Sequence, residues 1–177
     1  SLALAVSGFG ASSIAEEKEL VVVENFVSRD GVHPGETFKV AVLLKITRNW
    51  HIHGHKLDDE FLVPTSLDFE ASENLKILDY YYPPPKSGKF AYSDVALLVY
   101  EKEVILGALV EAKNDTSAGP LKIQGKLRYQ ACDDSSCRPP KTVVLEITVE
   151  VVALDRETRD AHPEIFSKME FKKSPAL

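Results

Sequence analysis

The chain has 177 residues, 44% hydrophobic and 27% charged, and its 27 Asp and Glu against 21 Lys and Arg give a net charge of −6. That length holds one ordinary domain with its own hydrophobic core, so no crosslink is needed to make up for a missing one. The acidic balance supplies no electrostatic reason to bind nucleic acid or an anionic membrane. No apolar run approaches the roughly 20 residues of a membrane-spanning helix, and the longest candidate, 95–110, is broken by Glu101, Lys102 and Glu103.

Residues 1–19 begin SLALAVSGFGASS, small and apolar with no basic stretch ahead of them, and are expected to be a linker or a signal remnant. From Leu20 the dominant period is two. LVVVENFVS is short and β-branched, and RDGVHPGE breaks it with Gly31, Pro34 and Gly35. In TFKVAVLLKIT, Phe38, Val40, Val42, Leu44 and Ile46 alternate with Lys39, Ala41, Leu43 and Lys45, as in a half-buried strand. SLDFE, LKILDYYY, ALLVY, VILGALVEA, LKIQGKLRYQA and TVVLEITVEVVAL repeat the theme between polar or Pro/Gly breaks. Short, evenly spaced strands without amphipathic helices between them predict an all-β fold, an antiparallel β-sandwich over 20–154. The remainder, 155–177, turns charged; Pro163 suits a helix start, and Ile165, Phe166 and Met169 offer a small apolar face. It is expected to be a short helical tail or a linker.

Both cysteines lie in one loop, YQACDDSSCRPP, between the last two strands. A hairpin there brings Cys132 and Cys137 within disulfide reach. Strand parity places Leu121, Ile123, Leu127, Tyr129 and Ala131 on one face and Cys132 on the other, polar face. Closing so short a loop gains about 2 kcal/mol in the chain-entropy model, against nearly 5 for a loop of about a hundred residues. A structural staple is therefore poorly placed here, and a polar, partly exposed pair suits thiol–disulfide exchange. Metal binding is a third reading. WHIHGH sets His51, His53 and His55 at alternate positions, so a single strand would project three imidazoles from one face toward zinc or copper.

YQACDDSSCRPP, taken with NWHIHGH and YYYPPP, resembles the N-terminal periplasmic domain of DsbD-type thiol:disulfide interchange proteins over about 20–154. The most specific part of the match is Tyr129-Gln130-Ala131-Cys132 followed by Cys137 and Pro139-Pro140. The resemblance implies an immunoglobulin-like sandwich in the periplasm that acts as a thiol:disulfide oxidoreductase without a bound cofactor. It implies that Cys137 forms the mixed disulfide and that Cys132 resolves it. The implied partners are thioredoxin-fold proteins, as electron donor and acceptor, with a membrane electron-transfer domain outside this chain. A mobile cap loop with an aromatic side chain shields the pair in that family. KSGKFAYSD is its counterpart here, with Phe90 favoured over Tyr92 and with Ser87 and Gly88 loosening the backbone.

Two features depart from the family pattern. Four residues separate the cysteines where some members have five, and His51 and His53 stand where some have a pair of tyrosines. Cationic imidazoles beside a sulfur would favour thiolate, against Asp133 and Asp134, and would make exchange change between about pH 6 and 7.5. The rival reading is a non-enzymatic sandwich that binds a protein or a metal and carries a static disulfide.

Overall fold

The computed structural model describes residues 19–171. Its strands are β1 (Val21–Val27), β2 (Thr37–Ile46), β3 (His51–His53), β4 (Ser66–Phe69), β5 (Leu75–Tyr81), β6 (Lys86–Gly88), β7 (Leu97–Glu101), β8 (Glu103–Ala112), β9 (Gly119–Tyr129), β10 (Ala131–Cys132) and β11 (Lys141–Val151). They form three sheets ordered β1-β2-β8-β5, β10-β3-β7-β6 and β11-β9-β4, and the strand ladders are antiparallel. The second and third sheets join end to end where β9 runs through Gln130 into β10. The architecture is an immunoglobulin-like β-sandwich.

One core holds the sheets together. Val40, Val42 and Leu44 of β2, Leu106 of β8, Ile123 and Leu127 of β9, Leu145 of β11, Ile52 of β3 and Tyr100 of β7 all belong to it. The alternation read from the sequence is realised in β2, where Phe38 through Ile46 at every second position are buried. In β11, Leu145, Ile147, Val149 and Val151 are buried while Glu146, Thr148 and Glu150 are exposed. Burying a side chain of that size removes about 1.5–3 kcal/mol of exposed-surface cost, so a one-residue slip of either strand would forfeit most of the core.

Ala41 breaks the pattern, because it is buried although it faces away from the main core. A four-residue helix, α1 (Pro163–Phe166), with Pro163 at its start, covers it together with Ile165, Phe166 and Met169. Lys39 Nζ donates to the Met169 carbonyl at 3.2 Å and Tyr81 Oη to the Lys168 carbonyl at 2.9 Å. The tail thus docks on the outer face of the first sheet. The segment 1–18, almost all of the expected linker, and residues 172–177 lie outside the described residues.

Two local elements differ from the sequence expectation. Ser87 and Gly88, expected to loosen the backbone, lie in the strand Lys86–Gly88, which pairs with β7. The WHIHGH segment stays in a strand only as far as His53, after which Gly54 N donates to the Leu98 carbonyl and the alternation ends. His55 therefore leaves the face that carries His51 and His53. It stacks on Tyr82, ring centroids 3.6 Å apart, with Nδ1 donating to the Thr65 carbonyl. The expected three-histidine face is not formed.

Candidate redox site

The site begins with register. Across the β10–β3 ladder Ala131 faces Ile52 and Cys132 faces His51; across β3–β7, Ile52 faces Tyr100 and His51 faces Glu101. Ala131, Ile52 and Tyr100 lie in the core. Neighbours in a strand point to opposite faces, so Cys132 and His51 are on the outer face, and His53, two residues on, shares it. The parity assigned from sequence holds. Its consequence does not: the sequence implies a polar, open face for Cys132, and the residue is 0% exposed.

A roof explains the burial. The segment after β6 crosses the outer face, and Phe90 lies on His51 with ring centroids 3.9 Å apart and planes inclined by 22°. Tyr92 stacks beside Phe90 at 5.6 Å, and its hydroxyl is 2.6 Å from His51 Nε2. Ala91 N donates to the Asp134 carbonyl at 2.9 Å, tying the roof to the cysteine loop itself. Gly88 makes room for this arrangement, since a Cβ there would sit 2.7 Å from Phe90 Cζ. Glycine serves here by close approach, where the sequence suggested flexibility.

Cys132 and Cys137 are joined by a disulfide. The loop between them is organised by Asp133, whose Oδ1 accepts from Ser135 N at 2.9 Å and Ser136 N at 2.8 Å. Those backbone donors hold the Asp133 carboxyl below the usual carboxylate range. Past the loop, Arg138 N donates to the Ala131 carbonyl and Gln130 Nε2 to the Arg138 carbonyl, which keeps 137–140 folded against β10. The two cysteines differ in environment, because Cys137 is partly exposed while Cys132 is fully buried.

His53 approaches the inner sulfur, with Nε2 3.6 Å from Cys132 Sγ. Its Nδ1 lies 3.1 Å from the Val63 carbonyl. A carbonyl oxygen only accepts, so Nδ1 carries the proton and Nε2 presents a lone pair to the sulfur. Burial lowers the pKa of His53, and burial followed by repulsion from His53 lowers that of His51. That direction runs against the sequence expectation of cationic imidazoles changing charge at pH 6 to 7.5. Desolvation disfavours the cation in both rings and outweighs the attraction of nearby carboxylates, Asp59 at His53 and Glu101 at His51, the latter together with Asp133 and Asp134. Burial, then those same carboxylates, pushes the Tyr92 phenol up to about 12, so the hydroxyl facing His51 keeps its proton.

The structure brings together Cys132, Cys137, His51, His53, Phe90 and Tyr92. Tyr129 joins the main core instead, with its hydroxyl toward Lys141. Asp134 anchors the roof through its backbone carbonyl, a role that no side-chain signal in the sequence could have marked.

A family model for the N-terminal region of the thiol:disulfide interchange protein DsbD matches residues 17–148. Among solved structures, the chain resembles the N-terminal periplasmic domain of ScsB from Proteus mirabilis at 12% identity and a TM-score of 0.52, covering 87% of this chain and 56% of that one. It also resembles the reduced N-terminal domain of DsbD from Neisseria meningitidis at 16% identity and a TM-score of 0.43, covering 76% and 89%. At such identity the ScsB likeness speaks to the fold alone. No curated protein sequence matches the chain.

Proposed function

Because this chain belongs to the family of DsbD N-terminal domains, we propose that it is a periplasmic electron relay, passing two electrons between thioredoxin-fold partners through the Cys132–Cys137 pair. The role in thiol:disulfide interchange comes with the family. The observation that carries the assignment of parts is the unequal burial of the two cysteines, with Cys137 partly exposed and Cys132 fully enclosed.

A donor thiolate attacks Cys137 Sγ along the S–S axis, forming a mixed disulfide and expelling Cys132 as a thiolate that takes a proton from solvent. The donor's second thiolate then attacks its own mixed-disulfide sulfur and leaves Cys137 reduced. In the forward transfer, Cys137 thiolate attacks an acceptor disulfide. Cys132 then loses its proton to His53 Nε2 and attacks Cys137 Sγ, restoring the internal disulfide and releasing the acceptor as a dithiol. Phe90 and Tyr92 cover the pair between encounters, and a docked partner displaces them. The sulfurs carry the electrons, so the scheme calls on no bound cofactor.

The test is the reduction potential, measured by equilibrating the protein in thiol buffers and trapping free thiols. A value of about −180 to −270 mV, with rapid exchange against a thioredoxin-fold protein, is expected of a carrier. Cys132→Ser should accumulate a mixed disulfide through Cys137, and Cys137→Ser should not. A potential below about −300 mV with slow exchange would mean a structural bridge, and the sandwich would then be a binding module.

A further inference from the structure

We propose that opening the disulfide creates a site for one soft monovalent cation, Cu(I), held by the Cys132 thiolate and one ring nitrogen from each of His51 and His53. The donor atoms of these three residues all lie within 4.8 Å of one another, and all three residues are buried. Register puts them there: His51 faces Cys132 across the β3–β10 ladder, and His53 follows on the same face. The imidazole nearest the sulfur is already set for ligation. His53 donates its Nδ1 proton to the Val63 carbonyl, so the lone pair of Nε2 faces Cys132 Sγ. In the oxidised protein that sulfur is committed to Cys137.

Charge and coordination number select the ion. One thiolate, two neutral imidazoles and a monovalent cation sum to zero, which a water-excluded site tolerates, whereas a divalent ion leaves a buried positive charge. Structural zinc is almost always four-coordinate and tetrahedral. Among the described residues the converging group supplies three donors. Thiolate and imidazole in so small a set suit Cu(I). Binding exchanges the Cys132 thiol proton for the metal and transfers no electrons. It also withdraws Cys132 from attack on Cys137, so copper would hold the centre reduced. The inference rests on the proposed function only in requiring that the disulfide can open, and Cys137→Ser removes that requirement by leaving Cys132 permanently free.

The experiment is an anaerobic titration with Cu(I) against a colorimetric Cu(I) chelator, using oxidised protein, phosphine-reduced protein and Cys137→Ser. Reduced protein and Cys137→Ser should each take up one equivalent, and oxidised protein none. His53→Gln and His51→Gln in the Cys137→Ser background should each weaken binding by about tenfold or more. Uptake by the dithiol alone, indifferent to both histidine changes, would overturn the proposal in favour of simple chelation by two sulfurs. Tighter retention of Zn(II) than of Cu(I) would overturn the choice of ion. X-ray absorption of copper-loaded, reduced wild-type protein decides the ligand set even if a histidine variant fails to fold. One sulfur and two nitrogens are expected, and two sulfurs without nitrogen would end the proposal. A carrier-range potential with no copper uptake would defeat this inference and leave the relay standing.

Discussion

Phe90 lies flat on His51, ring centroids 3.9 Å apart, and thereby closes the outer face on which Cys132 sits. A stacked pair of this kind contributes about 0.5–1.5 kcal/mol beyond its buried area, a two- to tenfold bias between closed and open. Phe90→Ala should therefore raise the rate at which a small thiol such as glutathione reduces the disulfide by about that factor. Reaction with a docked thioredoxin-fold partner, which must displace the roof in any case, should change less. Stopped-flow reduction with both reagents separates the cases, and equal rates for wild type and variant would remove Phe90 from the cap.

His53 Nε2, 3.6 Å from Cys132 Sγ, is placed to accept the thiol proton when Cys132 attacks. General-base assistance typically contributes about 10²–10⁴-fold. His53→Gln, which retains a polar group but offers no basic nitrogen, should slow release of the acceptor from its mixed disulfide by about a hundredfold. The initial attack by Cys137 should be little altered. Quenched-flow gels that follow the mixed disulfide would show it accumulating, and an unchanged lifetime would assign His53 to packing.

How much of this was legible in the sequence follows from how local each signal is. Phe38 to Ile46 and Leu145 to Val151 declare their faces by alternation, so the sandwich could be read from single segments. The cysteine pair declared itself by lying within one loop. The burial of Cys132 could not be read in that way, because its own strand gives the correct face and only the arrival of Phe90 and Tyr92 over that face encloses it. His55 shows the opposite limit. The His-x-His-x-His spacing promises three imidazoles on one face only while the strand continues, and β3 stops at His53. The lowered histidine pKa values were equally hidden, since desolvation depends on the same roof.

Those histidines make stability depend on pH. His51 and His53 have folded pKa values below the ordinary 6.5, so as pH falls through about 6.5 the unfolded chain takes up protons that the folded chain resists. Stability should be flat between about pH 7 and 8 and should fall as pH drops from about 6.5 toward 5, with the loss ending only below the folded values. Urea midpoints measured across that range check the sign. Replacing both histidines by glutamine should flatten the slope, and a midpoint that rises toward pH 5 would contradict the burial argument.

The C-terminal segment is the last element whose role can be separated from the redox site. Ile165, Phe166 and Met169 cover Ala41 on the outer face of the β1-β2-β8-β5 sheet, whereas Cys132 and His51 occupy the outer face of the β10-β3-β7-β6 sheet. Ending the chain after Leu154 removes three buried apolar side chains, each stabilising by about 1.5–3 kcal/mol before the cost of ordering the tail. Unfolding free energy should fall by about 3–6 kcal/mol, read from urea denaturation. The potential of the Cys132–Cys137 pair should stay where it was, because among the described residues the tail packs on the other sheet and makes no hydrogen bond or ion pair with the roof or the cysteine loop. Unchanged stability would mean that the described part of the tail rests on the sheet without supporting it. A shifted potential would mean that the two outer faces communicate through the shared core.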